Sequence, residues 1–174
     1  MNRKITTAGA APATASAPAA EDLGREEMIA LLDAAARVDG SRTMAAAMHL
    51  LNGTDLPGRP EFARHVDLEE GRLGDPSLTR VTCAWVRDWD VLLVDRDAIW
   101  TEQQLTLITL AAGYATAGRP VDLHDTIRYA AMRFGPETAR RIIEATAIAA
   151  GFDLAKIEID KRQMPATEPD VTGG

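Results

Sequence analysis

The sequence lacks the residues that stabilise small secreted proteins or bind structural metals. Cysteine occurs only once, as Cys83, so no intramolecular disulfide can form. The three histidines, His49, His65 and His124, are far apart and form no Cys/His cluster with zinc-site spacing. The longest apolar runs fall well short of the ~20 residues that span a bilayer. We therefore expect a protein of the reducing cytoplasm, with no metal, no cofactor and no membrane segment.

Positive charge is also scarce. The chain has 19 Lys and Arg residues against 26 Asp and Glu residues, a net charge of −7. Binding along a phosphate backbone depends on clustered Lys and Arg residues that release counterions. The acidic balance therefore argues against broad nucleic-acid binding, although it does not exclude a local basic surface.

What the sequence does contain predicts one domain with an arm at each end. Its 174 residues fit the usual domain size of roughly 100 to 200 residues. Residues 1–20 are rich in Ala, Pro and Thr and offer little apolar surface to offset the entropy of ordering, so we expect a disordered arm. We expect a helical domain over residues 21–152 and a flexible tail over residues 153–174.

The apolar spacing of the domain is that of amphipathic helices. A capping box at Thr101 and Gln104 begins a helix that is apolar on nearly all sides, and we expect that helix, at residues 102–117, to lie at the centre of the fold. Other stop and start signals separate the remaining helices: Gly40, Ser41, Asn52-Gly53, Gly135-Pro136 and Gly151. The predicted fold class is all-α, a single compact domain of about six or seven helices.

Two predicted helices lie in the middle of the chain. One begins at Pro60 and stops at Gly71, and the next begins at Asp75-Pro76. Apolar residues of the second recur at helical spacing: Leu78, Val81, Trp85, Trp89 and Leu92. The composition of residues 81–83 and 91–94 is instead typical of strands, so a strand pair turning at residues 95–97 is the alternative. We favour the helix because the start signal and the spacing agree.

The segment 123–150, around Gly135, resembles a degenerate helix-turn-helix. Ala131 provides the small residue that lets the two helices approach, but Arg141 and Glu144 fall where the motif is apolar. If the segment bound DNA, its contacts would come from four arginines: Arg128, Arg133, Arg140 and Arg141. We favour a plain helical corner with a solvated arginine face.

The three tryptophans are the candidate partner-binding residues. Trp85 and Trp89 lie one helical turn apart and Trp100 follows. An aromatic pair at this spacing is typical of a core, but tryptophan is also enriched at interface hot spots. For catalysis we assign no residue: there is no G-x-S-x-G motif, Cys83 lies among apolar neighbours, and His65 with Glu69 is read as a surface pair.

One stretch carries a resemblance. Residues 101–151 combine the capped apolar helix, the connector Ala-Gly-Arg-Pro-Val-Asp-Leu at 117–123 and a closing Ala-Ile-Ala-Ala-Gly. In these features the chain resembles small helical proteins of actinobacterial type that have no known activity, so the resemblance implies no residue roles. We expect a non-catalytic protein–protein interaction or regulatory module, with a protein partner or self-association. The alternatives are a DNA-associated regulator using residues 123–150 and an enzyme with an unrecognised site.

Overall fold

The computed structural model describes residues 19–72, 80–116 and 123–154. The described residues form seven α-helices and one two-stranded antiparallel sheet. In chain order these are α1 Arg25–Asp39, α2 Arg42–Asn52, α3 Pro60–Ala63, β1 Val66–Arg72, β2 Arg80–Val86, α4 Trp89–Val94, α5 Glu102–Ala115, α6 Leu123–Phe134 and α7 Pro136–Ala150. The arms predicted at residues 1–20 and 153–174 lie almost entirely outside the described residues.

The helix boundaries predicted at Gly40, Ser41, Asn52-Gly53, Thr101, Gly135-Pro136 and Gly151 are confirmed. Gly40 ends α1 in the left-handed conformation at φ 72°, and the Ser41 hydroxyl accepts the Met44 N–H at the start of α2. The capping box of Thr101 and Gln104 begins α5. These signals are short-range hydrogen bonds and backbone conformations, so the local sequence is sufficient to predict them.

The fold is not purely all-α, and both predictions for the middle of the chain need correction. The helix that begins at Pro60 ends at Ala63, and residues 66–72 form β1 instead. Residues 80–86 form β2, with Val66 opposite Val86 and Arg72 opposite Arg80. Residues 89–94 are nevertheless helical. The start signal at residues 75–76 lies outside the described residues.

Packing against α1 accounts for the strands. One side of the sheet lies on α1 so closely that a Cβ at Gly71 would be 2.8 Å from Cγ2 of Val38 and 2.9 Å from Sγ of Cys83. The fully buried Cys83, together with Ala34 and Ala35, forms a small core beneath this side. Cross-strand pairing and this burial outweigh the helical spacing of the apolar residues, since propensity and spacing are weaker than tertiary contacts.

The main core is centred on α2, which packs against α1, α5 and α7. The central position expected for α5 is therefore taken by α2, although much of α5 is buried. The largest fully buried side chains of the main core are Phe62, Met28, Leu32, Leu50, Leu51, Leu56, Leu92, Leu107, Ile108, Leu110 and Ile142. This arrangement brings the end of α2 beside the first turns of α5 and α7. None of the helices in the described ranges is both long and apolar enough to cross a bilayer.

Candidate functional site

A polar cleft opens where the end of α2 meets the beginnings of α5 and α7. Its volume is about 350 Å³. Most of its lining side chains are hydroxyl, amide or charged groups, and Leu107 is the large apolar one. The lining residues are Gly53, Thr54, Asp55, Thr101, Gln103, Gln104, Leu107, Glu137, Thr138 and Arg141. We refer to this set as the polar cleft.

The buried amide of Gln104 organises one wall of the polar cleft. Its Oε1 accepts the Thr101 N–H at 2.9 Å and Nη1 of Arg59 at 3.1 Å. Its Nε2 donates to Oδ1 of Asp55 at 2.7 Å, so one residue caps α5 and also fixes the Asp55 carboxylate. The amide of Gln103 bridges the two helices by donating to the Thr138 hydroxyl at 2.8 Å.

Arg141 lies across the cleft with few hydrogen bonds. Its guanidinium packs on the backbone of Gly53, where a Cβ would come within 1.7 Å of Cζ. Its Nη1 donates to the His49 carbonyl at 3.4 Å, and its Nη2 is 3.9 Å from Oε1 of Glu137. The described residues offer it no closer acceptor, although its side chain is only 23% exposed. The guanidinium therefore keeps donors that no protein group in the described ranges satisfies well.

A second polar cavity of about 430 Å³ shares Gly53 and Arg141 with the lining of the polar cleft. There Nε2 of His49 is 3.0 Å from Oε2 of Glu144, and Nδ2 of Asn52 donates to Oδ1 of Asp33 at 2.6 Å. Burial raises the pKa of the Asp33 carboxyl, partly opposed by the charge of Arg37 and by the Asn52 hydrogen bond. Sequence reasoning missed the His49–Glu144 pair because 95 residues separate its members.

His65 pairs with Asp95 rather than with Glu69. Its Nε2 lies 2.7 Å from Oδ2 of Asp95, and both side chains are mostly buried. The expected pairing with Glu69 assumed a helix, but residues 66–72 are a strand, so a spacing of four residues does not bring the two side chains together. The His65 hydrogen bond, followed by the Asp97 N–H and the nearby charges of His65 and Arg64, lowers the pKa of the Asp95 carboxyl.

The candidate tryptophans occupy three different environments. Trp89 is buried at the start of α4, and Trp85 is half-buried in β2 against the small core beneath the sheet. Trp100 is half-buried, with Nε1 donating to the Leu92 carbonyl at 3.3 Å and the Arg59 guanidinium 5.3 Å from its ring centroid. Trp89 is therefore buried while Trp85 and Trp100 stay partly exposed, and the assignment of the three tryptophans to partner binding stays a prediction.

The segment before Trp100 exposes three large aliphatic side chains that sequence reasoning missed. Val91, Val94 and Ile99 are 52%, 72% and 84% exposed, and we call these three residues the aliphatic patch. The Trp100 hydrogen bond to the Leu92 carbonyl holds the loop containing Ile99 close to α4. The available signal was the apolar run at residues 91–94, since a helix of six residues cannot bury side chains on every face.

The four arginines that would contact DNA under the alternative hypothesis lie beside carboxylates. Nη2 of Arg128 is 4.0 Å from Oδ1 of Asp125, and Nε of Arg133 donates to Oε2 of Glu102 at 3.2 Å. Hydrogen bonds from Tyr129 and Arg133 lower the pKa of Glu102. The remaining two are also engaged: Arg140 pairs with Glu137 and Glu144, and Arg141 lines the polar cleft.

No family model, curated protein or solved structure matches this chain. The likeness of residues 101–151 to small actinobacterial helical proteins therefore remains a prediction. In the part of the chain that the structure describes, no three or more His, Cys, Asp or Glu side chains are grouped so that they would hold a metal ion.

Proposed function

We propose that the protein is a non-catalytic interaction module of the cytoplasm that binds a partner protein through the aliphatic patch. The observation that carries this proposal is the exposure of three large aliphatic side chains within nine residues, at Val91, Val94 and Ile99. Burying such a side chain completely is worth about 1.5–3 kcal/mol. A partner that covers the patch would gain that energy, whereas the free protein leaves it in water.

The surroundings of the patch give it the usual composition of an interface, with an apolar centre and a polar rim. Four aspartates and one arginine occur among residues 88–97, so this segment has a net charge of −3. Two copies of the chain meeting at this surface would bring like charges together. A partner with an apolar centre surrounded by Lys and Arg residues complements it better, because opposite charges increase both association rate and specificity.

The patch is held in place by hydrogen bonds. The Asp88 carboxylate accepts the N–H groups of Asp90 and Val91 at the start of α4, and His65 holds Asp95 at its end. Trp100 anchors the following loop on the Leu92 carbonyl. A surface fixed before binding loses little conformational entropy on association, which favours affinity.

The experiment is affinity capture from the source cells by the wild type and by two matched variants, with and without nuclease. Ile99→Asp places a charge in the patch, while Met132→Asp changes a residue of α6 that is 82% exposed against 84% for Ile99. We expect one partner that both the wild type and Met132→Asp capture, that Ile99→Asp loses, and that nuclease does not release. The purified partner should also bind less tightly at higher salt.

Three outcomes would contradict the proposal. One is a partner captured equally well by Ile99→Asp. The second is self-association that Ile99→Asp abolishes, which would make the patch a homodimer interface. The third is recovery that depends on nucleic acid, which would favour the DNA-associated alternative at residues 123–150.

A further inference from the structure

We infer that the polar cleft binds a small zwitterion that carries one carboxylate and one ammonium group, as a free amino acid does. The inference rests on a guanidinium and a carboxylate that line the same cavity and each retain hydrogen-bonding capacity. It uses none of the three residues of the aliphatic patch, because Val91, Val94 and Ile99 do not line the cleft.

The carboxylate of the ligand would be bound by Arg141. A guanidinium presents five N–H donors in a planar fork, and it binds carboxylates through two parallel hydrogen bonds. Within the described ranges, the contacts of Arg141 are the His49 carbonyl at 3.4 Å and Glu137 at 3.9 Å. The side chain is 23% exposed and lines the cleft, so its open donors are accessible to a ligand carboxylate, which would form the charge-assisted hydrogen bonds that these long contacts do not supply.

The ammonium group of the ligand would be bound by Asp55. Oδ1 of Asp55 accepts the Gln104 amide, whereas Oδ2 accepts no hydrogen bond from the described residues. No Lys, Arg or His of those residues lies within 4.0 Å of the Asp55 carboxylate. The carboxylate is therefore oriented by Gln104 and still has an oxygen available to a cation.

The size and the charge of the cleft narrow the ligand class. A volume of about 350 Å³ is near the lower end of the range for small-molecule sites, which suits a metabolite of amino-acid size. Two carboxylates, Asp55 and Glu137, and one guanidinium, Arg141, line it. The carboxylates disfavour a phosphate dianion and the guanidinium disfavours a metal cation, whereas a zwitterion satisfies both kinds of charge.

The walls are already ordered for binding. Arg25 donates to the carbonyls of Asn52 and Thr54 and so fixes the loop after α2 from the α1 side. Gln104 fixes the same loop through Asp55, and Gln103 joins α5 to α7 through Thr138. Groups held by such supporting hydrogen bonds keep their geometry when a ligand enters.

The test is isothermal titration calorimetry of the full-length protein at neutral pH with the common L-amino acids, one at a time. For each amino acid that binds, three further ligands are titrated. The amino acid amide lacks the carboxylate charge, the α-hydroxy acid analogue lacks the ammonium group, and inorganic phosphate tests for a simple anion site. We expect saturable binding of at least one amino acid. Each analogue should bind about tenfold or more weakly, because it loses a charge-assisted hydrogen bond.

Variants then assign the site. Asp55→Asn and Arg141→Gln should each weaken binding about tenfold or more. Arg128→Gln, a change at an exposed arginine of α6, should leave it unchanged. Gly53→Ala is a second test of Arg141 that keeps the arginine itself. Its new Cβ would overlap the flexible end of that side chain and displace the guanidinium, while the backbone of residue 53, at φ −81°, suits alanine.

Any of three results would overturn the inference. The first is that no amino acid shows saturable binding up to about 10 mM, where affinity is weaker than that of an ordinary metabolite site. The second is that the amide, the hydroxy acid or phosphate binds as tightly as the amino acid. The third is that folded Asp55→Asn and Gly53→Ala bind the amino acid as tightly as wild type. Ile99→Asp should bind the amino acid normally. Failure of the partner experiment therefore leaves this test unaffected.

Discussion

Nε2 of His65 lies 2.7 Å from Oδ2 of Asp95. This contact joins the residue before β1 to the residue after α4. Arg64 approaches the same carboxylate at 3.7 Å, and the Asp97 N–H donates to its other oxygen at 2.9 Å. The contact therefore ties the sheet to the segment that carries the aliphatic patch. Thirty residues separate the pair, so it forms only when both elements are in place.

The Asp95 contact makes a prediction about acid stability. The pKa of Asp95 is held below its ordinary value of 3.8, first by the His65 hydrogen bond. A carboxyl group whose pKa is depressed by folding stabilises the protein above its unfolded pKa, and this contribution is lost as the pH falls through the folded pKa. We expect Asp95→Asn to lower the free energy of unfolding by about 1 kcal/mol near neutral pH. The difference from wild type should shrink below about pH 4.

Urea denaturation of the two proteins at several pH values between neutrality and pH 3 measures this difference. Other depressed carboxyls, such as Glu102 and Asp67, affect wild type and variant alike, so only the difference between the two curves is informative. A gap that stays constant down to pH 3 would show that the hydrogen bond does not act through the Asp95 pKa.

The close approach of α1 to the sheet predicts that Gly71 cannot be enlarged without cost. In Gly71→Ala the added Cβ meets Val38 and Cys83, which are packed between the helix and the strands. Overpacking of this kind costs about 1–3 kcal/mol of unfolding free energy. Gly53→Ala is the matched control, because the atoms its Cβ meets are the movable end of Arg141. If urea denaturation gave both variants the same loss, the packing interpretation would be wrong.

Cys83 predicts a chemical readout of the same packing. Its side chain is fully buried, and burial raises the pKa of its thiol. Only the thiolate reacts with alkylating reagents, so native Cys83 should be labelled by iodoacetamide much more slowly than the urea-unfolded protein. Gly71→Ala overpacks the contact above the thiol and destabilises the fold, so its Cys83 should become accessible more often and be labelled faster than in wild type. Equal rates in native and unfolded wild-type protein would contradict the burial of Cys83.

These sites show which features could be predicted from sequence. The first residues of α2 and α5 follow from Ser41 and Thr101, whose hydroxyls accept backbone N–H groups in the first turns of these helices. The strands were missed because Val81, Trp85 and Trp89 recur at intervals of four residues, which predicts a helix wherever no other information is available. Residues 80–86 form a strand because they pair with residues 66–72 and are buried against α1. Neither contact can be predicted from the apolar spacing within residues 80–86 alone.

The candidate site was harder to predict for the same reason. Asp55 and Gln104 are 49 residues apart, and Gln104 was recognised only as a cap because that role is local. The sequence predicts a solvated arginine face that includes both Arg140 and Arg141. Its neighbour Ile142 is fully buried in the core, and α7 packs on α2 in the orientation that turns Arg141 toward Gly53. Only the packing of the two helices separates the roles of these adjacent arginines.

The adjacent glutamines of α5 provide the last prediction. In Gln104→Glu the new carboxylate can still accept hydrogen bonds from the Thr101 N–H and the Arg59 guanidinium. It has no N–H, however, to replace the amide donor that lies 2.7 Å from Oδ1 of Asp55. Two carboxylates at that separation repel each other, and Gln104 is only 6% exposed, so water does not screen them. We expect the unfolding free energy to fall by about 2 kcal/mol or more near neutral pH.

The pH dependence distinguishes this repulsion from a general loss of packing. Burial beside Asp55 should raise the pKa of the introduced carboxyl, so the lost stability should return as the pH falls through that raised value and the group becomes neutral. Gln103→Glu is the control, because residue 103 is exposed and the Thr138 hydroxyl can donate to a carboxylate there. Urea denaturation should place this control within about 0.5 kcal/mol of wild type. If both glutamate variants lost the same stability at every pH, the hydrogen bond from Gln104 to Asp55 would not be what organises the cleft.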